Sequence, residues 1–171
     1  PISDKTYKLR TEEDHSFWQK ILGPDYVEKM FTWAHEANPN AELVINDYNI
    51  ESTIGKREGM YKFVKEMLAK KVPISAVGLQ MHISVNDPPV EQIEETINMF
   101  GELGLKVLVT EMDVSVYNFE DKERIEYTPE LLEKQAQRYK EIFECFKRCA
   151  KKGYLTDVVL WGTMDSHSWK N

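Results

Sequence analysis

The chain has 171 residues, 42% hydrophobic and 30% charged, which is typical of a globular domain with a sizeable core. Its net charge of −7, with lysines mostly among glutamates on predicted helices, argues against a nucleic-acid surface and indicates solvated helix faces. No apolar run approaches the roughly 18 residues that a membrane span needs, and the polar start shows no signal-peptide pattern.

Helices and short apolar strands alternate along the chain. In order, the predicted elements are a helix at 22–37 with Pro24 in its first turn, a strand at 42–45, a helix at 59–71, a strand at 76–80, a helix at 90–103, a strand at 107–111, a helix at 129–151 behind an N-cap at Thr128, and a strand at 158–161. This alternation predicts βα units on a parallel sheet. Four strands suggest half of an eight-stranded barrel, which needs about 250 residues.

Two carboxylates end the strand in KVLVTEMD. Side chains alternate along a strand, so Glu111 and Asp113 are predicted to share one face. The same alternation places Val107 and Val109 on that face and Thr110 on the other. Two acids at a strand's carboxyl end either perform chemistry or cap and pair at a loop edge, and spacing alone leaves both roles open.

A second polar pair follows the strand at 76–80. Gln80 and His82 obey the same alternation above Gly78, which leaves room for neighbouring side chains. An amide and an imidazole one strand from Glu111 are suited to holding its carboxylate in place. A single histidine is as often structural, so both roles remain open.

Aromatic and polar side chains follow two further strands. Trp161 ends the last strand and Trp169 lies in the loop beyond it. Aromatic faces suit the C–H faces of sugar rings, although core packing is the commoner role of either tryptophan alone. The NDYN segment at 46–49 is a polar cluster that favours either hydrogen bonding or a turn.

The two cysteines lie four residues apart in a predicted helix. Their side chains would run side by side, so Cys145 and Cys149 are predicted to be reduced, partly buried thiols. A zinc site is not expected, because neither a neighbouring histidine nor a second cysteine pair accompanies them.

Four motifs follow one another along the chain: FWQKILGPDYVEKMFTWAHEANPNAELVINDYN, VPISAVGLQMH, VLVTEMD and WGTMDSHSW. Together they resemble glycoside hydrolase family 10, the endo-β-1,4-xylanases with a (β/α)8 TIM barrel. The first is similar to the family's helix 4 to strand 5, and the others to its strands 6, 7 and 8. The resemblance covers nearly all of residues 1–171 and implies the C-terminal half of one catalytic barrel, whose N-terminal half would be its partner.

The resemblance also implies a role for each candidate residue. Glu111 matches the nucleophile of the family's Thr-Glu-Leu-Asp motif, with Met112 in place of the usual leucine. His82 is implied to hydrogen-bond Glu111, and Asp113 to hold the imidazole. The implied sugar-binding residues are Asn46, Gln80, Trp161, Trp169 and, on the leaving-group side, Tyr48.

One catalytic group has no match. The family's general acid/base is a glutamate in an Asn-Glu motif at the end of strand 4, which is expected just upstream of Pro1. No residue of this sequence is therefore assigned that role. The family's final helix would likewise follow Asn171.

The implied reaction is endo-acting, retaining hydrolysis of β-1,4-xylosidic bonds by double displacement. It requires no metal or organic cofactor, its partner is xylan or a xylo-oligosaccharide, and the family resemblance implies secretion. One alternative is another (β/α)8 enzyme, such as a sugar isomerase or a β-1,4-glucan hydrolase. The other is a non-catalytic carbohydrate-binding half-barrel that keeps the aromatic cleft.

Overall fold

The computed structural model describes residues 1–117 and 127–169. The helices are α1 (Phe17–Leu22), α2 (Tyr26–Ala37), α3 (Ile54–Ala69), α4 (Val90–Gly101) and α5 (Pro129–Lys151). The strands are β1 (Val44–Asp47), β2 (Ala76–Leu79), β3 (His82–Ser84), β4 (Lys106–Ser115) and β5 (Leu155–Leu160), followed by a short 3₁₀ helix at Asp165–His167. The predicted alternation of helices and strands is confirmed.

Helix boundaries follow local capping chemistry. The Thr128 side chain accepts a hydrogen bond from the Leu131 amide, so α5 begins where the sequence predicted. The helix predicted at 22–37 corresponds to α2 but begins later, at Tyr26. It is preceded by α1, which the sequence did not predict and which ends at Gly23 (φ 89°). Pro24 therefore lies between α1 and α2 rather than in a first helical turn.

All the named strands pair in parallel around β4. β1 pairs with β2, β2 with the first half of β4, and β5 with the opposite edge of β4. β3, which the sequence did not predict, continues along the same edge as β2 after a break at Met81 (φ 63°). The amides of Glu111 and Asp113 donate to the carbonyls of Gln80 and Met81 across this break.

One extra residue in β4 changes its facing pattern. Leu79 pairs with Val109 and His82 pairs with Asp113. Between these two pairs β4 advances by four residues, whereas the neighbouring segment from β2 to β3 advances by three. Val109 and Met112 are consequently both buried although they are three residues apart. The predicted alternation is therefore wrong for the valines: they pack into the core, while the two acids face the other way.

The core lies between the sheet and helices α3, α4 and α5. Met60, Ile93, Phe100 and Ile142 have no exposed surface, and they come from all three helices. Cys145 and Cys149 are buried in the same core and unpaired, as predicted. Among the described helices, none is long and apolar enough to cross a membrane.

Candidate active site

Asn46 near the end of β1, His82 at the start of β3 and Glu111 within β4 lie together. Glu111 Oε1 accepts a hydrogen bond from Asn46 Nδ2 at 3.2 Å, and Oε2 lies 3.3 Å from His82 Nε2. The Glu111 side chain keeps 18% of its surface exposed. Its carboxylate is therefore fixed at both oxygens yet still reachable, which is the arrangement an attacking carboxylate requires.

The orientation of the Asn46 side-chain amide is fixed by a second hydrogen bond. The Thr110 hydroxyl donates to Asn46 Oδ1 at 2.9 Å, which leaves Nδ2 facing Glu111. Gly78 makes the space for this amide, because a Cβ there would lie 2.6 Å from Asn46 Oδ1. The small residue noted in the sequence thus admits a side chain from the neighbouring strand.

His82 joins the two acids of β4. Its Nδ1 lies 3.0 Å from Asp113 Oδ2, so the predicted contacts of the imidazole with Asp113 and Glu111 are both present. The hydrogen bond with Asp113 is the largest of the effects that raise the pKa of His82 above its ordinary value. In its protonated form the ring donates to both carboxylates at once.

A cavity of about 410 Å³ opens beside these residues. Its lining consists of the predicted residues Tyr48, Gln80, His82, Trp161 and Trp169, together with Asn49. The volume lies within the range of small-molecule sites. Both tryptophans approach the His82 ring edge-on and remain about half exposed, so their rings are available to a ligand.

Tyr48 presents its ring rather than its hydroxyl to this cavity. The hydroxyl accepts a hydrogen bond from Arg10 at 2.7 Å and donates to Asp4. Lys56 Nζ lies 3.5 Å from the centroid of the same ring. A contact between Tyr48 and a sugar would therefore be made by the remaining ring face and edge.

The sequence did not anticipate what surrounds Lys56. This side chain is completely buried, contrary to the solvated lysines predicted on the helices. Its ammonium lies 2.8 Å from Asp4 Oδ1 and 3.4 Å from Asp47 Oδ1. Asp47 also accepts a hydrogen bond from the amide of Ile2 at 2.7 Å. We refer to Lys56, Asp4, Asp47, Tyr48 and Arg10 as the Lys56 cluster, and to Glu111, His82, Asp113 and Asn46 as the Glu111 cluster.

Glu51 is a second buried charge that the sequence did not reveal. It has no exposed surface, and neither carboxylate oxygen has a hydrogen-bond partner among the described residues. Burial raises its pKa to about 7, against the opposing attraction of His82 and Lys56. The Gln92 side chain fixes the adjoining backbone by donating to the carbonyl of Glu51 at 2.8 Å.

Within residues 1–117 and 127–169, no three histidine, cysteine, aspartate or glutamate side chains converge as a metal ion would require. Both ring nitrogens of His82 face carboxylates at hydrogen-bond distance instead. Five predicted residues line the cavity, and Glu111 and Asp113 contact one of them, His82, while Asn46 contacts Glu111. The roles of these residues in a reaction remain predictions.

The chain is similar to known proteins in sequence and in structure. The family described as "Glycosyl hydrolase family 10" matches residues 1–171. The chain is 40% identical over 169 residues to endo-1,4-beta-xylanase C from Paenibacillus barcinonensis, and 46% identical over 156 residues to endo-1,4-beta-xylanase A from Caldicellulosiruptor sp. strain Rt8B.4. These matches cover 94% and 90% of the chain but only 16% and 22% of the two relatives.

Solved structures agree with this result. The GH10 structure from Paenibacillus barcinonensis superposes with a TM-score of 0.95 and 40% identity, covering 99% of this chain and 50% of that one. An intracellular xylanase from Thermoanaerobacterium saccharolyticum, solved with xylotetraose, gives a TM-score of 0.84 and 40% identity, covering 98% and 48%. The predicted (β/α)8 class is confirmed, and the chain spans about half the length of these solved relatives.

Proposed function

The chain belongs to glycosyl hydrolase family 10, and from that premise we propose that it forms the nucleophile-bearing C-terminal half of an endo-1,4-β-xylanase barrel. The arrangement of Glu111 is the observation that carries this proposal. Its carboxylate is held at both oxygens by Asn46 and His82 in the second half of β4, toward the carboxyl ends of the parallel strands, where barrels of this class place their chemistry.

In the proposed reaction, ionised Glu111 attacks the anomeric carbon of xylan and forms a glycosyl-enzyme, which water then hydrolyses with net retention. Asn46 and His82 keep the attacking oxygen in line, which lowers the entropy lost on reaching the transition state. A second carboxyl, about 5–5.5 Å from that of Glu111, must protonate the leaving oxygen. The proposal assigns that role to the preceding strand of the complete barrel.

The cavity wall supports a sugar substrate. Trp161 and Trp169 are half exposed beside His82, and such rings stack on sugar C–H faces. Gln80 supplies a polar group for hydroxyls in the same cavity. The Thermoanaerobacterium saccharolyticum relative was solved with xylotetraose, which supports a xylo-oligosaccharide as the ligand class.

The partner in this proposal is the N-terminal half of the same barrel. Large apolar side chains are exposed at both ends of the sheet: Phe17, Trp18 and Trp33 on α1 and α2, and Val159 and Leu160 on β5. Four further βα units would cover these surfaces and close the barrel. Secretion stays a prediction, since the Thermoanaerobacterium saccharolyticum relative is described as intracellular.

The test uses a joined barrel, in which the first half of the Paenibacillus barcinonensis barrel is fused to the amino end of this chain at Pro1. A 2-deoxy-2-fluoro xylobioside slows hydrolysis of the glycosyl-enzyme, so it should label this protein on Glu111. Peptide mapping of the labelled protein identifies the residue. Xylan hydrolysis is measured in parallel, with the exposed Glu102→Gln as the matched control for Glu111→Gln.

Each outcome bears on the proposal. A label on Glu111 that is lost in Glu111→Gln but kept in Glu102→Gln supports it. A label on another residue refutes the nucleophile assignment. A folded joined barrel that binds xylo-oligosaccharides without cleaving them would refute the enzymatic proposal and favour the carbohydrate-binding alternative.

A further inference from the structure

Trp169 makes a polar contact in addition to forming part of the cavity wall. Its indole Nε1 donates to Asp113 Oδ2 at 2.7 Å. The same oxygen lies 3.0 Å from His82 Nδ1. One carboxylate oxygen therefore serves two donors, one from the loop after β5 and one from the imidazole that contacts Glu111.

This shared oxygen joins the cavity wall to the nucleophile. The Trp169 ring also lies edge-on to the His82 ring, with centroids 5.1 Å apart, so both its ring and its N–H act on the imidazole and its acid. Trp161 provides a comparison, because its ring lies 6.3 Å from His82 at the same interplanar angle of 74°. The backbone amide of Trp161 donates to the carbonyl of Met112, whereas the side chain of Trp169 donates to Asp113.

We propose that Trp169 is a positioning residue for the nucleophile, acting through its indole N–H on Asp113 and from there through His82 on Glu111. The inference rests on the proposed function, and it adds a task that stacking on sugar does not require. The donor takes up part of the Asp113 charge and so limits how strongly this carboxylate attracts the His82 proton. It also fixes which Asp113 oxygen faces the ring.

The charged groups that act on His82 can be named among the described residues. Asp113 and Glu111 face it from β4, and Glu51 acts on it from the segment after β1. Of these, Asp113 accepts the Trp169 N–H. Loss of that N–H should therefore raise the pKa of His82 further, since the Asp113 charge becomes less neutralised.

The test compares Trp169→Phe with Trp161→Phe in the joined barrel. Phenylalanine keeps an aromatic face for the sugar but has no N–H, so Trp169→Phe should lower kcat on the order of tenfold with KM little changed. Trp161→Phe removes an indole without touching Asp113, so it should affect KM more than kcat. If both tryptophans only stacked on sugar, both variants would change KM more than kcat.

A second readout does not depend on activity. In nitrogen-15 NMR spectra, the Trp169 indole N–H signal should shift as His82 titrates, because both donors share Asp113 Oδ2, and His82 should titrate at a higher pH in Trp169→Phe. An indole signal that ignores the His82 titration, or a Trp169→Phe variant with unchanged kcat and His82 titration, would overturn the proposal. The indole signal is read in the unmodified protein, so it decides the contact even if the variant folds poorly or the joined barrel cleaves nothing.

Discussion

The Glu111 cluster and the Lys56 cluster lie at the same edge of the sheet but differ in how exposed their charged side chains are. Glu111 and Asp113 keep 18% and 17% of their side-chain surface exposed, and they lie beside a cavity. Lys56 has no exposed surface and lies between two aspartates and the face of Tyr48. The first arrangement leaves a carboxylate within reach of a ligand, and the second leaves no such room at the Lys56 ammonium.

The difference shows that charged residues at strand ends need not belong to the chemistry. Lys56 on α3 joins Asp4, near the start of the chain, to Asp47 at the end of β1. It therefore connects the start of the chain to β1 and α3. We expect the Lys56 cluster to contribute to stability and the Glu111 cluster to turnover, and each of the following predictions tests that separation in the joined barrel.

The largest expected effect is on turnover. Glu111→Gln should lower kcat by about four orders of magnitude or more, because an amide cannot form the glycosyl-enzyme. The free energy of unfolding should change by less than about 1 kcal/mol, since ion pairs of partly exposed groups contribute little. Kinetics on xylan and urea denaturation measure the two quantities. A large loss of stability would show that the Glu111 cluster also holds the fold together.

The next effect is on stability. Lys56→Met keeps the length of the side chain but removes the charge. Fusion at Pro1 already removes the terminal ammonium that lies 2.8 Å from Asp47 Oδ2, so in the joined barrel this variant leaves Asp47, at 3% exposure, without either ion-pair partner. We expect a loss of about 3 kcal/mol or more in the free energy of unfolding, with kcat of the folded fraction within a few-fold of the parent. Lys62→Met, at an exposed position of the same helix, is the matched control and should be near neutral. Equal unfolding midpoints for the two variants would contradict this expectation.

Glu51 gives a pH-dependent effect. Its pKa is about 7 in the folded chain, against an ordinary value of 4.5. The folded chain therefore retains a proton that the unfolded chain releases, so stability falls as the pH rises from about 4.5 to about 7 and then levels off. Glu51→Gln abolishes this dependence and should be more stable than the parent at pH 8 by about 3 kcal/mol relative to any difference at pH 4.

Thermal unfolding of Glu51→Gln and its parent at several pH values checks this prediction. Glu58→Gln, on the exposed side of α3, serves as the control for a general effect of charge. Parallel stability curves for Glu51→Gln and the parent would mean that Glu51 is ionised in the fold across this range.

The smallest expected effect is that of chelation. The two ring nitrogens of His82 face different carboxylates at hydrogen-bond distance, 3.3 and 3.0 Å, and among the described residues no three potential ligand side chains converge as a metal ion would require. Prolonged dialysis against a chelator should leave xylan hydrolysis unchanged, while His82→Ala lowers it. Activity that disappears on chelation and returns with a divalent ion would refute this view of His82.

The apolar runs and the family resemblance together predicted much of the Glu111 cluster. Glu111, Asp113 and His82 follow apolar runs that are visible in the sequence, and parallel strands place such ends at one edge. The facing pattern of β4 was not predictable in the same way, because its extra residue is defined only against the neighbouring strand. The valines of β4 were misplaced for that reason.

The Lys56 cluster and Glu51 were missed for a different physical reason. A lysine or glutamate among other charged residues on or near a helix is usually solvated, and nothing local distinguishes Lys56 from its neighbours. Its burial depends on Asp47 and on Asp4, which is 52 residues away in sequence. Long-range pairing of this kind is set by the tertiary fold and leaves no periodic trace.

The position of β4 in the sheet affects how often its backbone amides open to solvent. This strand carries Glu111 and has partner strands along both edges, so its amides can open only when β2, β3 or β5 separates from it. Hydrogen–deuterium exchange should therefore be slowest in β4 and faster around the Trp169 loop. The nucleophile would then remain fixed over many turnovers while the aromatic wall fluctuates around each sugar that enters and leaves.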